Sequence, residues 1–493
     1  MSDPLDRPQP NPALDPSPEE IRSAGAAVVD WMASYSASLR GRDLYPDTTS
    51  KDLAGLLAGP LPQEGRSIVD LLATLDEVVV AGSRHNGHPR FFGYVSAPGT
   101  AVASFADLLA STLNSNLTAW RSAPAPVELE HRAIDWIREA LGCDVGAGGL
   151  FTSGGSLANF TAIAAARHRH DRTINSTGMR GAARPLRLYI STEGHHSSDK
   201  AAALLGIGLD NVCRIAVDAE FRMRVEVLER QIAADRAAGF DPFCIVASAG
   251  TVVTGAIDPL QAIADVAARE NLWLHVDGCY GGFARLAPSV RERFSGIERA
   301  DSVALDPHKW LYLPADCGCL IYRRPQELGA AFALGADYTR VTAANPDEAF
   351  AFWDYGPELT RRFRALKVWM TLAHVGARAM GEAIESNIDC AHHFARLIAA
   401  GPDFEMLAPV ELSIFCFRHR GSRGAITPGE LDRWNERLLA ALQKDASSYL
   451  SNASIHGQFA LRGCVLNYRT TRQDMEILLA DLRRVASTLD DEI

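Results

Sequence analysis

The chain of 493 residues is almost without lysine. Only Lys51, Lys200, Lys309, Lys367 and Lys444 occur, against 44 arginines. Arginine supplies the surface charge, so each lysine can be read for its own purpose. No C-x-x-C pair occurs among the nine cysteines, which are scattered through apolar stretches. That argues against a zinc ribbon or a disulfide framework and for a reduced, cytoplasmic setting. No apolar run approaches the ~18 residues of a membrane span. The start, "MSDPLDRPQPNPALDPSPEE", has no apolar segment of the signal-peptide kind. Positive charge is not in excess either. A formal net charge of −11 argues against nucleic acid or an anionic membrane as partner. Finally, no G-K-[ST] loop, G-x-G-x-x-G turn or H-E-x-x-H helix is found, so neither a nucleotide loop nor a metal site is expected.

What is present reads as a soluble α/β protein. Hydrophobic residues make up 47% and charged residues 22%, within the ordinary globular range. Residues 17–39 predict a helix with Ser17 as N-cap, and 67–82 a second one. From about Asp107 to Arg324, short apolar segments alternate with helical ones. Strands are expected at 186–191, 243–249, 272–277, 301–306 and 317–323, in a mostly parallel sheet flanked by helices. The stretch 361–380 predicts a long amphipathic helix. Beyond it lies a smaller α+β unit with strands at 411–418 and 463–469 and a helix from Arg472. The expected division is 1–100 for an N-terminal arm and helical segment, 101–375 for a large domain and 376–493 for a small one.

Four segments carry chemistry. In "SVALDPHKWLYLPADCG" (302–318), Lys309 follows a hydrophobic strand. Desolvation there would lower its pKa and make the neutral amine a nucleophile; a lysine snorkelling from a strand end is the plainer alternative. "FTSGGSLANF" (151–160) runs from a strand end through glycines into a helix, which suits a phosphate, though such turns are often only turns. In "LWLHVDGCYGGF" (272–283), Asp277 ends a buried strand and needs a cationic partner, either a protonated pyridine nitrogen or an arginine. In "EGHHSSDKAA" (193–202), His195 and His196 point differently, and one of them could cover an aromatic ligand. A phosphate cradle, a strand-end carboxylate, a flat imidazole and a reactive amine are together what pyridoxal 5'-phosphate requires.

With "HPRFFGY", "SAPAPVELE", "TSGGSLAN", "AGTVVTGAIDP", "HVDGCYGG", "DPHKWL", "RRFRALKVW" and "LRGCVLNYRTT" in this order, the chain resembles the group II pyridoxal-phosphate-dependent amino-acid decarboxylases. That group contains the aromatic-L-amino-acid, glutamate and histidine decarboxylases, of fold type I. The resemblance implies that Lys309 carries the Schiff base, that Asp277 pairs with the pyridine nitrogen and that His196 stacks on the ring. It places Gly155, Ser156, Asp306 and His308 around the phosphate, with Thr251 near the cofactor. Tyr338 matches a loop tyrosine that protonates Cα after carbon dioxide leaves. Substrate-side positions would be Tyr94, Asn116, Thr118 and Thr360.

Some residues depart from the family pattern. Val252 stands where the family has a second threonine. Asn116 and Thr118 are polar where aromatic-substrate members are apolar, and Arg90 or Arg121 could pair an acidic side chain. The implied reaction is decarboxylation of an L-amino acid to its amine, with aromatic substrates favoured. Acidic substrates, or an aldehyde-forming decarboxylation-deamination, are the alternatives. A homodimer, with the N-terminal helices wrapped around the partner, is implied as well.

Overall fold

The computed structural model describes residues 14–144, 146–333, 346–421, 427–445 and 447–491; Tyr338 lies outside them. The first helix, Pro18–Ser38, begins as its sequence dictates. Ser17 accepts the Glu20 N–H through its hydroxyl, and the Glu20 carboxylate accepts the Ser17 N–H in return. This reciprocal cap satisfies two otherwise free amides. None of the helix is buried within the single chain. The second expected helix forms as Ile68–Thr74 and continues as a π-helical segment, Leu75–Val80.

Seven strands build the main sheet: β1 (Gly148–Thr152), β2 (Leu186–Ser191), β3 (Val212–Ile215), β4 (Asp241–Ser248), β5 (Trp273–Asp277), β6 (Ser302–Leu305) and β7 (Gly318–Tyr322). Their order is β1-β7-β6-β5-β4-β2-β3. The run from β6 to β3 is parallel, while β7 lies antiparallel to both β6 and β1. All five expected strands form. The short edge strand β3, half exposed, is an addition the apolar pattern did not announce. β5 is buried along its whole length, as expected of a strand covered on both faces. Asp277 therefore ends β5, and Asp306 follows β6, at the carboxyl edge where α/β sheets gather ligands.

The smaller sheet contains β8 (Phe404–Met406), β9 (Ile414–His419), β10 (Ser451–Ile455) and β11 (Gln458–Cys464), in the order β10-β11-β9-β8 and antiparallel throughout. The strand expected at 463–469 thus lies earlier. Its apolar residues are buried for another reason: Asn467 bonds back to the carbonyls of Gly87 and His88, and Val465 to that of Ser413. The helix expected over 361–380 is broken at Gly376, whose φ of 81° suits glycine, into Ala365–Val375 and Ala377–Ala399. No helix among the described residues is long and apolar enough to cross a membrane. None of their His, Cys, Asp and Glu side chains form a group of three placed to hold a metal ion.

Candidate active site

One cleft of about 370 Å³ opens at the carboxyl edge of the large sheet. Its floor begins with the turn between β1 and the helix Gly155–His170. A Cβ on Gly155 would overlap Cys279 Sγ and come within 3.0 Å of Asp306 Oδ2, so only glycine fits. The first-turn amides of Gly155 and Ser156 lack intrahelical acceptors and face an anion favourably.

Asp277 is buried at the end of β5. It accepts the Cys279 N–H at 3.1 Å and the Asn159 Nδ2–H at 2.9 Å. Burial works against its charge, but the Cys279 hydrogen bonds and the nearby imidazoles outweigh it, holding the carboxyl below its ordinary pKa. It forms no ion pair with a lysine or arginine among the described residues, so its charge is left for a cation in the cleft.

Lys309 sits on the short turn Pro307–Trp310 directly after β6. Trp310 stacks on Tyr280 with ring centroids 5.0 Å apart, and its indole reaches Asn387 Oδ1. These contacts fix the turn. The lysine is not the desolvated amine expected from its apolar flanks. Burial does lower its pKa, but the Asp306 carboxylate, with Nζ 2.8 Å from Oδ2, and then Cys279 outweigh burial, and the pKa is raised. Asp306 Oδ1 is buried without a hydrogen-bond partner among the described residues. His308 also lines the cleft, with Nδ1 2.7 Å from the Cys317 carbonyl oxygen.

The histidine expectation needs correction. His196 stands outside the cleft, with its side chain 87% exposed and Nδ1 2.9 Å from Asp199 Oδ2. Asp199 lies in the first turn of the following helix, and it turns the His196 ring away. His195 lines the cleft instead, its Nδ1 2.8 Å from Ser197 Oγ and 3.2 Å from the Ser197 amide nitrogen. Partial burial lowers the His195 pKa more than Asp277 raises it, which favours a neutral ring.

Thr251 lines the cleft, its hydroxyl accepting the Ala256 N–H and lying 3.0 Å from Thr254 Oγ1. Val252 is in the lining too, its carbonyl oxygen held by Arg462. The four expected substrate-side residues are not. Tyr94 is exposed and bonded to Arg84, Asn116 accepts the Arg361 N–H, the Thr118 carbonyl accepts the Phe352 N–H, and Thr360 is exposed. Arg90 is engaged by the Ser447 carbonyl oxygen and faces Asp474. Sequence reasoning missed Asn159. Its signal was the spacing of four from Gly155, which puts both on one helix face.

An anion cradle, a free carboxylate, a flat imidazole and an amine thus line a single cleft, and these residues fit pyridoxal phosphate. Comparison with known proteins agrees. The model of the pyridoxal-dependent decarboxylase conserved domain matches residues 51–420. An aromatic-L-amino-acid decarboxylase of Bacillus atrophaeus is 34% identical over 473 residues, covering 96% of this chain and 97% of that protein. The enzyme of the same name from Sus scrofa is 30% identical over 482 residues, covering 95% and 97%. Among solved structures, Oryza sativa TDC with PLP and tryptamine superposes with a TM-score of 0.91 at 28% identity, covering 98% of this chain and 99% of that one. A Rhodiola rosea 4-hydroxyphenylacetaldehyde synthase gives 0.87 at 29%, covering 96% and 99%. The chain belongs to the pyridoxal-dependent decarboxylase family and is a pyridoxal-phosphate-dependent amino-acid carboxy-lyase of fold type I.

Proposed function

We propose that the enzyme converts aromatic L-amino acids to their arylalkylamines with release of carbon dioxide. The convergence of Lys309, Asp277 and His195 on one cleft carries the chemistry, and the aromatic substrates of the relatives named above favour the side-chain class. In this reading Lys309 holds the cofactor covalently. Gly155 and Ser156 hold its phosphate, Asp277 its ring nitrogen and His195 its ring face. Bound pyridoxal phosphate supplies an electron sink for the pair left when carbon dioxide departs.

The chain's own residues do the rest. Asp306 keeps a proton on Lys309 Nζ. Asp277, below its ordinary pKa, stays an anion at the base of the cleft. Tyr338 Oη is the proposed proton donor to the substrate Cα.

A homodimer belongs to this reading. Ile21 and Val29 on the first helix, and Phe105, Leu108, Leu109 and Leu113 on the helix Ala101–Leu113, are exposed in the single chain. The standing of Tyr94, Asn116, Thr118 and Thr360 apart from the cleft is what a site completed by a second copy would require. The nine free cysteines, seven of them buried, support a cytoplasmic location.

The test is a product screen by mass spectrometry, with peroxide read in parallel. Cofactor-loaded protein meets each common L-amino acid, dihydroxyphenylalanine and 5-hydroxytryptophan. Arylalkylamines without peroxide are expected. β-Alanine or γ-aminobutyrate would overturn the aromatic assignment. Aldehyde with peroxide would move the enzyme to the deaminating class.

A further inference from the structure

Asn159 is 1% exposed and lies one helical turn beyond Gly155. Its carboxamide uses every group it has. Nδ2 donates to Asp277 Oδ2 at 2.9 Å and to Ser197 Oγ at 2.7 Å, and Oδ1 lies 2.8 Å from His275 Nε2. The opposite orientation of the amide would set its oxygen against the Asp277 carboxylate, so the partners determine which atom is which.

That orientation propagates in both directions. Upstream, Oδ1 can only accept, so His275 carries its proton on Nε2. His275 Nδ1 then accepts from Ser302 Oγ at 2.9 Å, and Ser302 Oγ accepts the Trp273 indole N–H at 2.8 Å. Every hydrogen in the series Trp273, Ser302, His275, Asn159 points toward Asp277. The last donor is an amide, which does not give up its proton. Burial takes His275 down to about 4, so near neutral pH no imidazolium competes for the Asp277 charge. Downstream, Ser197 Oγ accepts from Asn159 and therefore turns its own proton to His195 Nδ1, where the Ser197 amide also points. Two donors at Nδ1 leave the His195 proton on Nε2.

We infer that Asn159 is a positioning residue whose single carboxamide keeps Asp277 an unprotonated acceptor for the cofactor ring nitrogen and presents His195 as a neutral ring in one tautomer. This rests on Asp277 and His195 meeting the cofactor as proposed above.

The test pairs Asn159→Ala with cofactor binding measured two ways, to pyridoxal phosphate and to the analogue with CH in place of the ring nitrogen. Loss of a hydrogen bond to a buried charge should raise the Kd for pyridoxal phosphate about tenfold. The Kd for the analogue should change less than twofold. With ¹⁵N-labelled pyridoxal phosphate, the ring-nitrogen signal should move away from its protonated position. In ¹⁵N-histidine-labelled protein without cofactor, His195 and His275 should both show the Nε2–H tautomer in the wild type and mixed tautomers in the variant.

Ser302→Ala acts two hydrogen bonds away and serves where Asn159→Ala does not fold. It should mix the His275 tautomers and shift the ring-nitrogen signal in the same direction. Equal losses for both ligands, or an unmoved ring-nitrogen signal, would overturn the positioning role. A wild type that binds both ligands equally would overturn the Asp277 pairing, and this inference with it.

Discussion

Asp306 Oδ2 lies 2.8 Å from Lys309 Nζ, within a single turn of chain. This pair is the strongest influence that opposes burial in setting the charge on the amine. Burial lowers the lysine pKa more than any other single influence, but Asp306, Cys279 and Asp277 together raise it further. A raised folded pKa means that the ion pair stabilises the folded chain fully below the ordinary lysine value of 10.5. That stability is lost as pH rises through the raised value. Asp306→Asn should therefore cost about 3 kcal/mol near pH 8, the low end for breaking a buried pair. The gap from wild type should close above pH 10.5. Urea unfolding of cofactor-free protein at both pH values checks this, and a gap independent of pH would remove the pair as its cause.

Of the five lysines, Lys309 alone lines the cleft. Lys51, Lys200 and Lys444 are exposed, and Lys367 is buried with Nζ bonded to Asp107 Oδ2 and the Pro314 carbonyl oxygen. Lys309→Ala should abolish the cofactor adduct trapped by borohydride. An adduct that persists, mapped by peptide mass spectrometry, would transfer the role to another of the five.

His195 and His196 separate two readings of one dipeptide. Removing a ring that stacks on an aromatic ligand costs about 0.5–1.5 kcal/mol. His195→Gln should therefore weaken pyridoxal phosphate binding by up to about tenfold. His196→Gln, at an exposed side chain, should stay within about twofold. The reverse pattern in a fluorescence titration would return the stacking role to His196.

The difference between these two histidines shows how far the sequence could be read. Asp277 and Lys309 were legible because each ends or follows an apolar run, and the glycines 154 and 155 because they join a strand to a helix. Chain order alone could not say which of two adjacent imidazoles faces the cleft. That depends on Asp199 capturing one and Ser197 the other. The raised pKa of Lys309 was missed for a related reason. Asp306 was visible three residues earlier, but only the turn at Pro307 folds its carboxylate onto the amine. In the small sheet, apolar content marked 463–469 as buried, and tertiary bonds from Asn467 replaced the expected ladder.

Tyr338 is assigned from its sequence position. General acids contribute about 10²–10⁴ in rate, so Tyr338→Phe should lower amine formation at least about a hundredfold. Pyridoxal phosphate affinity should be unchanged, with some product diverted to aldehyde and peroxide. Amine formation at the wild-type rate would show that another group delivers the proton.

Glu130 and Arg361 form the most deeply buried ion pair near the site, with side chains 0% and 1% exposed. Glu130 Oε1 accepts from both the Phe151 amide and Arg361 Nη2, while Arg361 also donates to the carbonyl oxygens of Leu117 and Phe151 and lies 4.0 Å over the Phe352 ring. The pair thus clamps β1 one residue before Thr152 and the glycine turn that follows. Glu130→Gln leaves the guanidinium charge buried without its counter-ion, which should cost about 3–5 kcal/mol. The double replacement Glu130→Met with Arg361→Met removes both charges at similar volume and should recover much of that loss. Because β1 leads into the glycine turn proposed to hold the phosphate, pyridoxal phosphate affinity should fall in the single variant and return in part in the double one. Urea midpoints and cofactor titrations on the three proteins decide the matter. A single variant within about 1 kcal/mol of wild type would mean that the backbone bonds of Arg361, and not its pairing with Glu130, hold the strand.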